Sequence, residues 1–284
     1  MANTDIATPR FYISESQHFQ SQGNYIDPIL QLDTQNEKQY SDFAMNLTFD
    51  SYPTYIMMLG IGAGFEVSTD ELVTGAILLG EEISVNQEMF LGGFSLIDYP
   101  STNTDIIVTI TGSARALSMG RYYDMPQSPE LSLVMSHEYD GIKSQSTEGG
   151  STLSYSNFYK APNWGDLQPW QLEGWSRNYS GRRVWELSFN YISDFDAEPY
   201  HYNLNETSGH ENWNADGNWF TSVLHYTNGG QLPFVFCPDP SIEYSEEYWT
   251  VPEFAICRFD MDTFKKEQVS KGQYNIRIKI KESW

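Results

Sequence analysis

Polar and apolar side chains alternate along several short stretches of this chain, and a period of two is typical of half-buried β-strands. The alternation is clearest at residues 274–281, where one Tyr and three Ile alternate with Asn, Arg and Lys. Runs rich in β-branched and aromatic residues predict further strands at 106–111, 131–136, 184–191, 232–237 and 254–259. Gly, Pro, Asn, Asp and Ser separate these runs, as in β-sandwiches and barrels. The pattern predicts a mostly-β fold class.

One segment has helical spacing instead. Residues 213–227 (WNADGNWFTSVLHYT) place apolar side chains on one face of a helix, with Asp216 as its N-cap. The sequence Asn-Gly-Gly at 228–230 then predicts the end of that helix. We therefore expect β-sandwich or barrel units with one short flanking helix in the C-terminal domain.

Composition predicts four regions along the chain. Residues 1–40 are polar and weakly patterned, which predicts an extended N-terminal arm. We expect a β-rich N-terminal domain at 41–160. An aromatic connector is predicted at 161–180, where Trp, Gly and Pro occur without periodicity. The remaining residues, 181–284, form a predicted second β-domain.

The chain is strongly acidic and rich in aromatic residues. Its 284 residues carry 38 Asp and Glu against 16 Lys and Arg, a net charge of −22, and 15% are aromatic. The negative charge excludes a general nucleic-acid binder, which needs a basic surface. The aromatic content excludes a disordered acidic chain. No stretch approaches 18 apolar residues and the first residues lack a secretory-signal pattern, so we expect no membrane insertion.

The end of the chain differs from the rest because it is basic. Residues 258–284 hold seven basic and four acidic residues, a net of +3, which leaves −25 for residues 1–257. Two interpretations of Arg277, Lys279 and Lys281 stay open. They either dock against the acidic surface of a neighbouring subunit, or form the solvent face of an edge strand, where lysines discourage unwanted pairing.

The two cysteines, Cys237 and Cys257, are too few for a disulfide framework or a structural zinc site. Both lie in apolar runs, which predicts buried thiols on strands. A disulfide between them stays open, provided that the two strands are neighbours.

No motif indicates catalysis or cofactor binding. Gly60, Gly62 and Gly64 follow an apolar run, but the third Gly is misplaced for a dinucleotide-binding loop. Alternating carboxylates at 194–198 would suit calcium, yet no EF-hand pattern follows them. The histidines show no HExxH spacing, and no nucleophile motif or P-loop occurs. We expect a protein that is not an enzyme and that uses no cofactor or metal.

Tryptophan is concentrated in one part of the sequence. Five Trp fall within 56 residues, amid Asn, Gly and Tyr: Trp164, Trp170, Trp175, Trp213 and Trp219. Such a mixture can stack on sugar rings, so a carbohydrate-binding β-sandwich module, free or mounted on a virion, is one hypothesis. The same residue types anchor protein–protein interfaces, which is the other.

The last 105 or so residues combine several of these features in a fixed order. GRRVWELSF at 181–189 is followed by the predicted helix, GGQLPFVF at 229–236, FAICRFD at 254–260 and GQYNIRIKIKE at 272–282. This order resembles the distal tail proteins and the minor tail protein M group of tailed bacteriophages. The resemblance implies a tail-tube-like β-domain with one flanking helix, which assembles into rings. The first 175 or so residues match nothing in that pattern.

The resemblance implies a non-enzymatic structural protein of a phage virion, at the tail or tail tip. Its partners would be itself, as a homo-oligomeric ring, and other virion proteins. DNA would only pass through the ring, consistent with an acidic chain, and assembly would occur in the host cytoplasm. The residues expected at the assembly interface are Arg182, Arg183, Trp185, Pro233, Phe234, Arg258, Arg277, Lys279 and Lys281.

Overall fold

The fold is known from a computed structural model. It describes residues 6–15, 28–30, 32, 40–49, 51–60, 66–71, 76–78, 82–84, 94–98, 101–130, 133–138, 142–156, 182–198, 217–242, 253–261 and 263–283. The predicted connector at 161–180 and the predicted N-cap Asp216 lie outside these residues, as do Trp164, Trp170, Trp175 and Trp213.

The described residues confirm the mostly-β prediction. Their strands are β1 (Arg10–Ser14), β2 (Tyr40–Thr48), β3 (Tyr55–Leu59), β4 (Glu66–Glu71), β5 (Ala76–Leu78), β6 (Glu82–Ser84), β7 (Phe94–Asp98), β8 (Asp105–Ala114), β9 (Ala116–Asp124), β10 (Val134–Glu138), β11 (Ile142–Ser146), β12 (Thr152–Ser156), β13 (Arg182–Ser193), β14 (Phe234–Cys237), β15 (Ala255–Phe259), β16 (Lys266–Ser270) and β17 (Gln273–Glu282). Each of the six predicted strands corresponds to one of these, β8, β10, β13, β14, β15 or β17.

Antiparallel pairing joins the strands into three sheets. An 11-stranded sheet has the order β10-β13-β17-β15-β14-β1-β9-β3-β7-β6, with β16 also paired to β17. A four-stranded sheet has the order β2-β8-β4-β5, and β11 and β12 form a separate pair. The large sheet is therefore built from strands that are distant in sequence.

The four-stranded sheet packs on one face of the large sheet, as in a sandwich. Ile56 and Met58 of β3, with Met119 of β9, belong to the same buried cluster as Val108 and Ile110 of β8. Alternation explains this arrangement, since residues two apart on a strand face the same side. Burying such apolar surfaces contributes about 25 cal/mol per Å² to stability.

A second cluster on the same face of the large sheet forms the core of the C-terminal strands. Trp219 and Val223 cover this part of the sheet, and their partners come from several strands. The buried partners include Phe11, Trp185, Leu187, Phe189, Phe234, Phe236, Ile276, Ile278 and Ile280. The three isoleucines confirm the half-buried alternation predicted for 274–281.

The helical part of the C-terminal region is short. The helix predicted at 213–227 is a π-helical segment over Phe220–His225 in its described part. Asn218 provides a cap at the start of its described part, because its side-chain oxygen accepts from the Thr221 amide at 2.9 Å. Asn228 and the two glycines after it have positive φ, which confirms the predicted helix end. A four-residue helix, α1, spans Asp194–Ala197.

The predicted N-terminal arm contains a central strand of the sheet. β1 pairs with β14 on one edge and with β9 on the other. Four of its five residues are buried, so this segment is part of the fold rather than an extension from it. The polar residues around β1 hide this role in the sequence. The predicted domain boundaries at residues 40, 160 and 180 stay predictions.

Gly120 lets β9 approach β1 closely. A Cβ atom on Gly120 would lie 2.4 Å from the carbonyl oxygen of Ile13 and 2.8 Å from the backbone nitrogen of Glu15. We expect Gly120→Ala to lower the free energy of unfolding by about 1–3 kcal/mol, as overpacking does. Gly149→Ala is the matched control, because nothing lies within 4 Å of its Cβ position. Equal urea midpoints for the two variants would contradict this account.

Both cysteines are free and buried, which confirms the sequence interpretation. They lie on neighbouring strands, but Cys257 is opposite Phe234 and not opposite Cys237. Cys237 belongs to the apolar cluster on the other face of the sheet from Cys257, so no disulfide joins them. Burial raises the pKa of the Cys237 thiol to about 12 and raises that of Cys257 well above its usual range.

Candidate functional site: a charged face on the C-terminal strands

The charged residues predicted at an assembly interface come together on three neighbouring strands. Arg182 begins β13, Arg258 lies on β15, and Arg277, Lys279 and Lys281 lie on β17 between them. In register, Arg258 is opposite Lys281. We call this surface the charged face, and its acidic members come from β10, β13 and the end of β15: Glu138, Glu186 and Asp260.

Ion pairs connect the strands of the charged face. The Lys281 ammonium lies 2.6 Å from a Glu138 carboxylate oxygen. The Lys279 ammonium bridges Asp260 at 2.7 Å and Glu138 at 3.4 Å. Glu138 therefore ties β10 to β17, although more than 140 residues separate it from its partners. The sequence carried no signal for this pairing, because a lone Glu in a strand is ordinary.

The last strand, β17, is not an edge strand, which corrects the second of the two sequence interpretations and leaves docking on a neighbouring subunit as a prediction. β17 pairs with β13 along one edge, and with β15 and β16 along the other. Its basic side chains lie on the face of a strand that has neighbours on both edges. Of the basic residues Arg277, Lys279 and Lys281, Arg277 is exposed and has no ion pair among the described residues.

A cavity of about 340 Å³ opens in the charged face. Three cationic side chains line it, Arg182, Arg258 and Lys281, one from each of β13, β15 and β17. The remaining lining residues are Phe259, Asp260, Glu282 and Ser283. Its three cationic residues outnumber its two acidic ones, so the lining can accept a carboxylate or another negatively charged group. We call it the charged-face cavity.

Arg183 points to the opposite side of β13 from Arg182 and holds a buried carboxylate. Its Nη2 donates to Glu282 Oε1 at 2.9 Å and its Nε to Glu282 Oε2 at 3.2 Å, while Nη1 contacts Glu253. The Glu282 side chain is only 3% exposed. Burial opposes the charged form of Arg183, but Glu282 and Glu253 outweigh it and raise the pKa of the guanidinium. The predicted interface residue Arg183 thus has its carboxylates within the chain.

Trp185, Pro233 and Phe234, also predicted at the interface, are buried in the chain. Trp185 stacks edge-on against Phe236, with ring centroids 5.4 Å apart. These three side chains pack the core beneath the charged face, so any effect that they have on assembly acts through the position of its strands. Among the predicted interface residues, only the charged ones are exposed or half-exposed.

The ion pair between Glu138 and Lys281 makes stability depend on pH. The hydrogen bond from Lys281, aided by Lys279, lowers the pKa of Glu138 from its ordinary 4.5. Its stabilisation is therefore complete above about pH 4.5 and is lost as the pH falls through the lowered value. Near neutral pH, we expect the free energy of unfolding of the wild type to exceed that of Glu138→Gln by less than about 1 kcal/mol, because the ion pair is partly exposed. The urea unfolding midpoints of the wild type and Glu138→Gln should converge as the pH falls into the acid range. A difference between them that does not change with pH would contradict this account.

The other sequence candidates have structural roles in the described residues. Asp194 and Asp196 lie in α1, where Ser193 Oγ accepts from the Asp196 amide at 3.1 Å. No group of three metal-binding side chains occurs among the described residues. Trp219, one of the five clustered tryptophans, is fully buried and cannot stack on a sugar. Within the same residues, no helix has the length and apolar character needed to span a membrane.

Comparisons with protein-family models, with curated proteins and with solved structures found no match to this chain. The resemblance to phage tail proteins stays a prediction from the sequence motifs.

Proposed function

We propose that the protein is a non-enzymatic structural component of a phage virion, at the tail or tail tip, and that it assembles into a ring through the charged face. The observation that carries the proposal is the concentration of cations on three adjacent strands. Five of the chain's 16 basic residues lie on the charged face, and three acidic residues lie on the same face. Without these eight residues, the rest of the chain has a net charge of −24.

Charge complementarity favours a second copy as the partner. The chain has a net charge of −22, so its own surface supplies carboxylates that match a basic face. Complementary fields of this kind steer association and fix its register. A closed ring of identical subunits satisfies every such contact.

The fold supports a structural role at the coarse level. Antiparallel sheets with one short helical segment in the C-terminal region are the architecture implied by the tail-protein resemblance. An acidic chain would not retain DNA that passes through a ring, since binding to phosphates needs cations. These properties agree with the proposal, and the charged face distinguishes it from a generic β-protein.

Sedimentation velocity of the purified chain tests the proposal. We expect oligomers at ionic strengths near 0.1 M that dissociate towards about 1 M, as the Debye length falls from about 10 to about 3 Å. Arg277→Glu should weaken association about 2- to 30-fold, because it replaces one attraction with one repulsion, each worth about 0.2–1 kcal/mol. Lys143→Glu, on β11 outside the large sheet, makes the same charge change and is the matched control.

A monomer at every salt concentration would overturn the proposal. Equal effects of Arg277→Glu and Lys143→Glu would show that net charge, rather than the charged face, controls association. The carbohydrate-binding alternative predicts a monomer whose Trp fluorescence changes with polysaccharide. Measuring both properties on one sample separates the two functions.

A further inference from the structure

A second surface stands out at the far end of β13. Tyr191 is 66% exposed and Phe195 is 56% exposed, which is unusual for large aromatic side chains so close in sequence. Asp194 lies between them and is also exposed. We call these three residues the aromatic knob.

The backbone holds the aromatic knob in place. A β-bulge interrupts the pairing of β13 with β17 just before Ile192, and Tyr191 has a φ of 60°, which bulky residues rarely adopt. Its amide donates to Asn275 Oδ1 at 3.2 Å. The Asp194 amide donates to the Gly272 carbonyl at 3.0 Å, so the start of α1 is tied to the turn before β17. The exposed rings therefore stand on ordered backbone.

The aromatic knob and the charged-face cavity lie at opposite ends of the same strand. Arg182, which lines the cavity, is the first residue of β13, and Ser193 is the last. At about 3.4 Å per residue, the two ends of this strand are about 37 Å apart. One copy cannot bring its own knob to its own cavity, but two copies in line can join the knob of one to the cavity of the next.

The two surfaces are chemically complementary. The knob offers two aromatic rings and a carboxylate, and Asp196 and Glu198 follow in the same turn. Lys266 neutralises part of this charge, because its ammonium lies 2.5 Å from Glu198 and 3.9 Å from Asp194. The cavity has two guanidinium groups and the Lys281 ammonium, which also pairs with Glu138. The Phe259 ring packs against Trp219 and Phe234 on the other face of the sheet. Arginine binds both carboxylates and aromatic faces well, and residues of these types dominate binding hot spots.

We infer that the aromatic knob of one copy binds in the charged-face cavity of the next, so that the subunits associate head to tail. This inference rests on the proposed self-assembly and specifies its geometry. A head-to-tail contact uses two different patches on each subunit. It generates a ring when the rotation closes and a filament when it does not.

Two variants that each lose one surface test the inference. The knob variant is Tyr191→Ser with Phe195→Ser, and the cavity variant is Arg182→Glu with Arg258→Glu. We expect each to self-associate at least about tenfold more weakly than wild type, as for the loss of hot-spot residues. Tyr52→Ser is the matched control, because Tyr52 is 57% exposed elsewhere, and it should assemble as wild type does.

Mixing the two variants gives the decisive result. The knob variant keeps its cavity and the cavity variant keeps its knob, so an equimolar mixture should form 1:1 dimers that grow no further. Sedimentation velocity and light scattering measure this directly. Urea unfolding midpoints close to that of the wild type verify that each variant is folded. If a double variant does not fold, the corresponding single substitutions are tested in its place.

The outcomes separate the inference from the proposal on which it rests. A wild-type chain that stays monomeric overturns both. A wild-type chain that assembles while the knob variant assembles within twofold of it overturns the head-to-tail contact alone. Variants that are both defective but form no dimer on mixing also overturn it, because a contact made by one self-complementary patch gives that result.

Discussion

Replacing Phe11 with alanine should lower the free energy of unfolding by about 3–5 kcal/mol, as large core truncations do. The Phe11 ring is fully buried and lies 5.2 Å from the Trp219 ring, centroid to centroid. The rings of Phe234 and Phe236 lie at 5.6 and 5.3 Å. The loss is a large part of the roughly 5–15 kcal/mol that stabilises a typical domain. Urea unfolding followed by circular dichroism measures it.

Phe195→Ala is the matched control for Phe11→Ala. It makes the same chemical change at a side chain that is 56% exposed, so its effect on stability should stay within about 0.5 kcal/mol. If Phe11→Ala also had so small an effect, β1 would not be the central strand that joins the two parts of the large sheet. Such a result would favour the prediction from the sequence that residues 1–40 form an extended arm.

Replacing Arg183 with methionine should cost about 3–5 kcal/mol, because it leaves the Glu282 carboxylate buried without its guanidinium partner. Glu282 accepts two hydrogen bonds from the Arg183 side chain and one from its backbone amide at 3.1 Å. Cys257, opposite Glu282 in the sheet, is fully buried and offers the carboxylate no compensating charge. Urea unfolding of the variant measures the loss.

A second substitution separates two free energies, the destabilisation caused by an unpaired buried Glu282 and the net stabilisation by the Arg183–Glu282 pair. Arg183→Met with Glu282→Met removes both charges, and replacing a buried pair with apolar groups is often close to neutral. We therefore expect the double variant to be more stable than Arg183→Met alone. Arg10→Met is the matched control, since its partner Asp124 is 42% exposed and stays in contact with water when the guanidinium is lost, so the loss should be about 1 kcal/mol. Similar losses for Arg183→Met and Arg10→Met would contradict this account.

Where one face of a strand is buried and the other is exposed to solvent, the alternation of apolar and polar side chains determines which residues face the core. Alternation at 274–281 therefore predicted the three buried isoleucines of β17, and the glycines after the helix predicted its end. The apolar runs around Cys237 and Cys257 predicted buried thiols for the same reason. Apolar side chains leave water in any fold that this sequence adopts, so these properties did not depend on the arrangement of the sheet.

The neighbours of each strand depended on tertiary structure. Nothing local distinguishes an edge strand from an interior strand, so an edge position stayed open for the basic residues of β17, whereas β13, β15 and β16 pair with that strand on its two edges. In the same way, Arg183 met Glu282 across 99 residues and Lys281 met Glu138 across 143. The sequence by itself determined the burial of the alternating isoleucines of β17 and of the two thiols, and the accumulation of basic residues near the end of the chain. Only the fold decided which charges meet and which aromatic rings stay exposed, because strand pairing depends on long-range contacts that no local pattern encodes.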